Sequence, residues 1–161
     1  ISAASAQLIM IEKKLSKPTV LPGPTGESNT ITLESRGCVG LVRDQDTSFD
    51  FWFLSLITAL ATGNTVVTSV SDQYLEQVSK LAQLNALNSH QFLAGTIVDR
   101  NAGIVHIVNQ QLAARSGAIL PLITAVSNQV LFERLVTEKT ISVDTTAAGG
   151  NASLMTMEIE D

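Results

Sequence analysis

The chain reads as apolar stripes and short apolar runs separated by Gly, Pro and capping residues. In residues 2–15, Leu8, Ile9, Ile11 and Leu15 fall on or near one helical face. Lys13, Lys14 and Lys17 sit where cations suit the helix dipole, and Pro18 ends the segment. Leu21-Pro22-Gly23-Pro24-Thr25-Gly26 has the composition of a linker or shaped turn. Thr30-Ile31-Thr32-Leu33 alternates as a strand does, and residues 38–42 read as a short buried strand. Residues 49–61 are apolar nearly all round. They predict a buried helix capped by Thr47 or Ser48 and stopped at Gly63, with the aromatics Phe49 to Phe53 in the core. Residues 64–70 are a β-branched strand, and Ser71 caps a helix with the stripe Leu75, Val78, Leu81 and Ala82.

Residues 92–98 give a further strand. Ile104-Val105-His106-Ile107-Val108 suits a strand by propensity, yet Ile104, Ile107, Val108, Gln111 and Leu112 also share one helical face. Asn101 as cap and Gly117 as C-terminal glycine favour a helix over residues 102–116. A strand at 118–123, a short helix at 129–137 and a strand at 140–145 complete the pattern. Alternating strands and helices predict an α/β fold: an open, mostly parallel Rossmann-like sheet with helices on both faces.

Beyond these elements lies Asp144-Thr145-Thr146-Ala147-Ala148-Gly149-Gly150-Asn151-Ala152-Ser153-Leu154, with no aromatic and no large side chain before Leu154. It adds little to a core. Its Gly and Ala residues let another backbone approach closely, and its Asn, Ser and Thr groups hydrogen-bond across such a contact. A frayed polar tail has the same composition, so both readings stay open.

At 161 residues and 45% hydrophobic, the chain is long and apolar enough for one domain with a real core. A net charge of −5 without a basic cluster argues against nucleic acid and anionic membranes as partners. No apolar run approaches the roughly 20 residues of a membrane span. A single Cys38 precludes an internal disulfide framework and fits a reducing cytoplasm. Peripheral attachment of a longer parent at the inner membrane is left open. The Asn151-Ala152-Ser153 sequon is read as coincidence, and the start at Ile1 as a piece of a longer protein.

Candidate chemistry is sparse. There is no GxGxxG and no P-loop. The turn Asp99-Arg100-Asn101-Ala102 lacks the glycine that close approach to a phosphate needs, and Asp99 would repel it. His90 and His106 stand apart, and no Cys, His or carboxylate cluster has metal-ligand spacing. Cys38 reads as a structural thiol, and Glu133 and Glu138 as solvated.

Two stretches carry a family resemblance. Leu21-Pro22-Gly23-Pro24-Thr25-Gly26-Glu27-Ser28-Asn29-Thr30 and the segment Val143 to Leu154 resemble the hallmark motifs of the C-terminal domain of proline utilization A. That family joins an FAD-dependent proline dehydrogenase to an NAD-dependent glutamate-semialdehyde dehydrogenase. Arg36-Gly37, Leu60-Ala61-Thr62-Gly63-Asn64-Thr65-Val66-Val67 and Leu112-Ala113-Ala114-Arg115-Ser116-Gly117-Ala118-Ile119-Leu120-Pro121-Leu122-Ile123 are similar to the scaffold of an aldehyde dehydrogenase cofactor domain.

The chemical positions of that scaffold have changed. By the resemblance, Asp46 stands where the family keeps its oxyanion Asn, and Ser69 where it keeps the Lys that holds the cofactor ribose. Asp99 lies in the nucleotide loop, Ala125 replaces the general-base Glu, and the segment carrying the catalytic Cys is missing. The resemblance implies a degenerate, non-catalytic domain with no cofactor of its own. It divides into residues 1–20 as helix and linker, 21–138 as the Rossmann-like part, and 139–161 as a β-flap strand and lid motif. Its implied partner is the aldehyde dehydrogenase domain of the same polypeptide, whose active site and tunnel residues Thr145 to Leu154 would cover. A residual dinucleotide-binding or regulatory domain is the alternative.

Overall fold

The computed structural model describes residues 2–68, 82–84 and 91–144. Ser69, His90, the expected helix after Ser71 and the segment from Thr145 onward lie outside them. Helix α1 (Ser2–Leu15) leads into the short strand β1 (Thr19–Leu21) and the long strand β2 (Glu27–Ser35). Then follow β3 (Cys38–Leu41), α2 (Phe49–Ala61), β4 (Thr65–Thr68), β5 (Ala82–Leu84), β6 (Leu93–Ile97), α3 (Val105–Ala113), β7 (Leu122–Ile123), α4 (Asn128–Leu135) and β8 (Val136–Asp144). Ala82, expected on a helical stripe, opens a strand instead.

Strands β3 to β7 form one parallel sheet in the order β5-β4-β3-β6-β7. The period of two along its strands sorts side chains onto two cores. Val39, Leu41, Val66 and Ile97 pack with Trp52, Leu56 and Ala59 of α2 and Leu131 and Leu135 of α4. Cys38, Val42, Val67 and Val98 pack with Val108 and Leu112 of α3. Each such fully buried Val, Leu or Ile contributes about 1.5–3 kcal/mol. The expected α/β architecture with helices on both faces is the one observed.

A second sheet, β1-β2-β8, is antiparallel and stands apart from the first. β2 and β8 pair along their whole length, from Glu27 opposite Asp144 at the tip to Ser35 opposite Val136 at the base. This flap therefore takes up residues 19–35 as well as the C-terminal strand. Its base is closed by Ile11, Phe132 and Val136 with Leu33 against them. Above the base, β8 is exposed residue after residue.

Two buried amides tie these layers together. Asn64 accepts the Gly37 N–H at 2.9 Å and donates to the Leu135 carbonyl and Thr62 Oγ1, each at 2.8 Å. Gln7 of α1 donates to Thr58 Oγ1 and to the Asn128 carbonyl, both at 3.2 Å. Here the apolar stripe misleads: Gln7 and Ile11 are the buried residues of α1, while Leu8 and Ile9 are exposed.

Helix α2 begins at the expected cap. Ser48 Oγ accepts the Phe51 N–H at 3.2 Å, and Gly63, at φ +80°, turns the chain out after Ala61. It is not buried all round, however. Trp52 is in the core, but Phe49 and Phe53 stack on each other at 5.7 Å on the exposed side. Phe49 also meets the Trp52 ring at 6.0 Å, so the exposed pair continues from the core aromatic. Helix α3 replaces the strand alternative at residues 104–108 but stops at Ala113, with Ala114 as its C-cap, before Gly117. The strand expected at 118–123 shrinks to Leu122–Ile123, since Pro121 has no N–H to give the ladder. β8 begins at Val136, where β-branched Val136 and Thr137 end the helix earlier than expected.

Candidate functional site

Ligands of open parallel sheets sit beyond the C-terminal ends of the strands, where the strand order reverses. β3 lies in the middle of this sheet, with β4 and β5 to one side and β6 and β7 to the other. The reversal thus falls between β3 and β6. It is flanked by the loops at residues 42–48 and 98–104.

Asp44 organises both loops. Its Oδ1 accepts the Thr47 hydroxyl at 2.8 Å, the Thr47 N–H at 2.9 Å and the Asp46 N–H at 3.1 Å. The carboxylate also takes the backbone N–H of Ile104, the N-cap residue of α3. Burial pushes the Asp44 carboxyl up. The Thr47 hydroxyl and the three amides outweigh it and hold the group below the usual carboxylate range. An internal anion therefore occupies a donor at the helix N-terminus, a place where nucleotide-binding folds receive a phosphate.

Two more carboxylates crowd the crevice. Asp46 is exposed, and a Cβ added to Gly103 would lie 3.7 Å from its Oδ2, so it stands over the chain entering α3. Asp99 is buried and shapes the second loop. Its Oδ1 accepts the Asn101 N–H at 3.0 Å, and its carbonyl accepts the Ala102 N–H at 2.9 Å. The fold thus brings Asp46 and Asp99 to the two loops of one crevice. Sequence reasoning passed over Asp44 itself; the Asp44/Thr47 spacing of an Asx turn was the available signal.

Ala125 lies at the end of β7, packed against the α2-side core. With Phe51, Leu54, Ser55, Val126, Ser127, Asn128 and Leu131 it lines a small cleft of about 110 Å³. Ser55 Oγ is buried there with no hydrogen-bond partner among the described residues. Cys38 is at the opposite, N-terminal end of the sheet; burial pushes its thiol up, away from thiolate chemistry. His106 is exposed on α3. Among the described residues no three His, Cys, Asp or Glu are grouped to hold a metal, and no helix is long and apolar enough to cross a membrane.

No family model matches the chain. Individual proteins do. The bifunctional protein PutA of Rhizobium meliloti is 33% identical over 150 residues, covering 84% of this chain and 12% of that protein. The PutA of Salmonella typhimurium is 34% identical over 149 residues, covering 86% and 11%. The chain thus spans about an eighth of the length of these relatives.

Among solved structures, a Bradyrhizobium japonicum proline utilization A mutant superposes with a TM-score of 0.56 at 28% identity, over 75% of this chain and 14% of that one. An NAD-dependent benzaldehyde dehydrogenase from Corynebacterium glutamicum shares the fold, with a TM-score of 0.51 at 16% identity over 76% and 32%. The sheet order, the aldehyde-dehydrogenase-like fold and the PutA matches converge: the chain belongs to the proline utilization A family, as a stretch of its C-terminal region.

Proposed function

We propose that this chain is a non-catalytic lid and assembly domain of a bifunctional proline-catabolic enzyme. The parent would oxidise proline with FAD and the resulting semialdehyde with NAD. The domain would dock on the aldehyde dehydrogenase part of its own polypeptide and help seal that site and the tunnel leading to it.

The observation that carries this reading is the crevice between β3 and β6. Among the described residues the strand order is that of a nucleotide fold, but Asp44 already takes the amides at the mouth of the crevice, and Asp46 and Asp99 stand beside it. An Asp at the oxyanion position would repel developing negative charge, and Ala125 offers no base. Binding NAD would bring a pyrophosphate against these carboxylates, at a cost of several kcal/mol.

The flap supplies the docking element. β8 is an edge strand among the described residues, with Ile141 and Val143 about half exposed, and it leads directly toward the small-residue segment starting at Thr145. Ala147, Ala148, Gly149 and Gly150 suit a backbone that lies close against a partner.

An isothermal titration with NAD tests the non-catalytic half of the proposal. No saturable heat is expected up to about a millimolar, which corresponds to roughly −4 kcal/mol. Saturation at micromolar NAD would instead support the residual dinucleotide-binding reading, which the sheet order permits.

A further inference from the structure

The small cleft beside Ala125 takes no part in the lid reading. Val126, 66% exposed, stands at its mouth, and Ser55, wholly buried, at its floor. Phe51, Leu54 and Leu131 give it apolar walls, and among the described residues no charged side chain lines it.

The Ser55 hydroxyl is the unusual group there. A helical Ser or Thr commonly turns its hydroxyl onto the carbonyl four residues back. Thr58 does so at 2.6 Å, and Thr62 at 2.8 Å. Ser55 does not, and its Oγ has no partner among the described residues. Buried polar groups are almost always paired, so this one calls for an acceptor.

The N-terminus of α4 opens onto the same cleft through Ser127 and Asn128. Ser127 takes the Val130 N–H on its Oγ at 3.3 Å and the Leu131 N–H on its carbonyl at 2.9 Å. The amides of Asn128 and Gln129 stand ahead of these, with no carbonyl four residues back inside the helix. Gln7 steadies this end by donating to the Asn128 carbonyl at 3.2 Å.

We propose that the cleft binds a short-chain monocarboxylate. Its carboxylate takes the Ser55 hydroxyl and the first amides of α4, and its alkyl tail lies against Phe51, Leu54 and Val126. Donors at a helix N-terminus suit an anion. With no Lys or Arg on the walls, the site balances one negative charge rather than the nearly two of a phosphate ester. The apolar walls favour an alkyl tail over a bare inorganic anion. A volume of about 110 Å³ holds roughly four groups the size of a water, enough for a carboxylate and a short tail. Ala125 makes the room: a carboxylate side chain at this position would fill the cleft from within, and Ala leaves it to one from outside. This site is independent of the lid reading and of the parent's activity.

Amide NMR of the 161-residue chain during titration with sodium butyrate tests it, against sodium chloride at equal ionic strength. Saturable shifts are expected at the amides of Ser55, Asn128 and Gln129, with half-saturation at about 1 mM. Ser55→Ala should weaken binding about tenfold. Its thermal stability should be unchanged or higher, because the hydroxyl it removes has no partner in the free chain. Ala125→Glu should abolish the shifts by supplying its own carboxylate. n-Butanol, with the same tail and no charge, should bind at least about tenfold more weakly than butyrate. Shifts that do not saturate by about 20 mM would overturn the proposal. So would shifts that chloride reproduces, butanol binding equal to that of butyrate, or binding that survives Ser55→Ala unchanged.

Discussion

Replacing Asp44 with Ala removes an acceptor that the loops after β3 and β6 share. Four donors lose the carboxylate: the Thr47 hydroxyl and the amides of Asp46, Thr47 and Ile104, of which the Thr47 N–H keeps a 3.3 Å bond to the residue-44 carbonyl. Hydrogen bonds to an ionised acceptor contribute about 1.5–3 kcal/mol each when fully buried. Asp44 is only half-buried, so water replaces much of this, and a net loss of about 2 kcal/mol is expected. For a chain of this size that lowers Tm by about 4–8 °C.

The sign with pH follows from the lowered pKa. The carboxylate's contribution is fully present above the unfolded value of about 3.9 and is lost as pH falls through the folded value. The difference between wild type and Asp44→Ala in urea denaturation should therefore be largest at neutral pH and shrink below about pH 4. Asp44→Asn keeps one carbonyl oxygen and should lose about half as much. A neutral-pH cost under about 0.5 kcal/mol, or the same cost at acidic pH, would refute the role given to this carboxylate.

Asn64→Ala strands the Gly37 N–H and removes the donor to the Leu135 carbonyl; it should cost about 3 kcal/mol in urea denaturation, with folded-state circular dichroism unchanged. Cys38 should react slowly with alkylating reagents in the native protein, and Cys38→Ser should remain folded; stoichiometric labelling within seconds would contradict its burial. Gly149→Val in the longer parent should lower aldehyde oxidation without altering proline oxidation, because a β-branched side chain blocks close approach of the segment to its partner; both half-reactions are read in one preparation.

The regular parts of the fold were legible because local signals and tertiary packing agree. Ser48, the apolar run after it and Gly63 bound α2, and the face shared by Ile104, Val108 and Leu112 marked α3 as a helix, although Ile104 and Ala114, not Asn101 and Gly117, cap it. The flap was harder to read. β1 looked like part of a linker because its pairing with residues 29–31 is written in no local period. Gln7 carries no sign that it is buried; only the partners that α2 and α4 bring, Thr58 and Asn128, make it so. Phe49 and Phe53 were apolar in a helix without being core, since hydrophobicity does not say which face is covered. At the crevice, Asp99 was read from the turn after its strand and Asp46 from the resemblance. Asp44 is held by a donor sixty residues away, and only the fold brings that donor to it.

The most direct test of the lid reading is removal of residues 145–161 from the parent polypeptide, with both half-reactions and the transfer between them measured. A lid that excludes water and retains a reactive intermediate acts at the second site only. Aldehyde oxidation and transfer should fall by about tenfold, or about 1.4 kcal/mol in barrier, with proline oxidation nearly unchanged. Equal loss of both activities, or no loss of either, would contradict it.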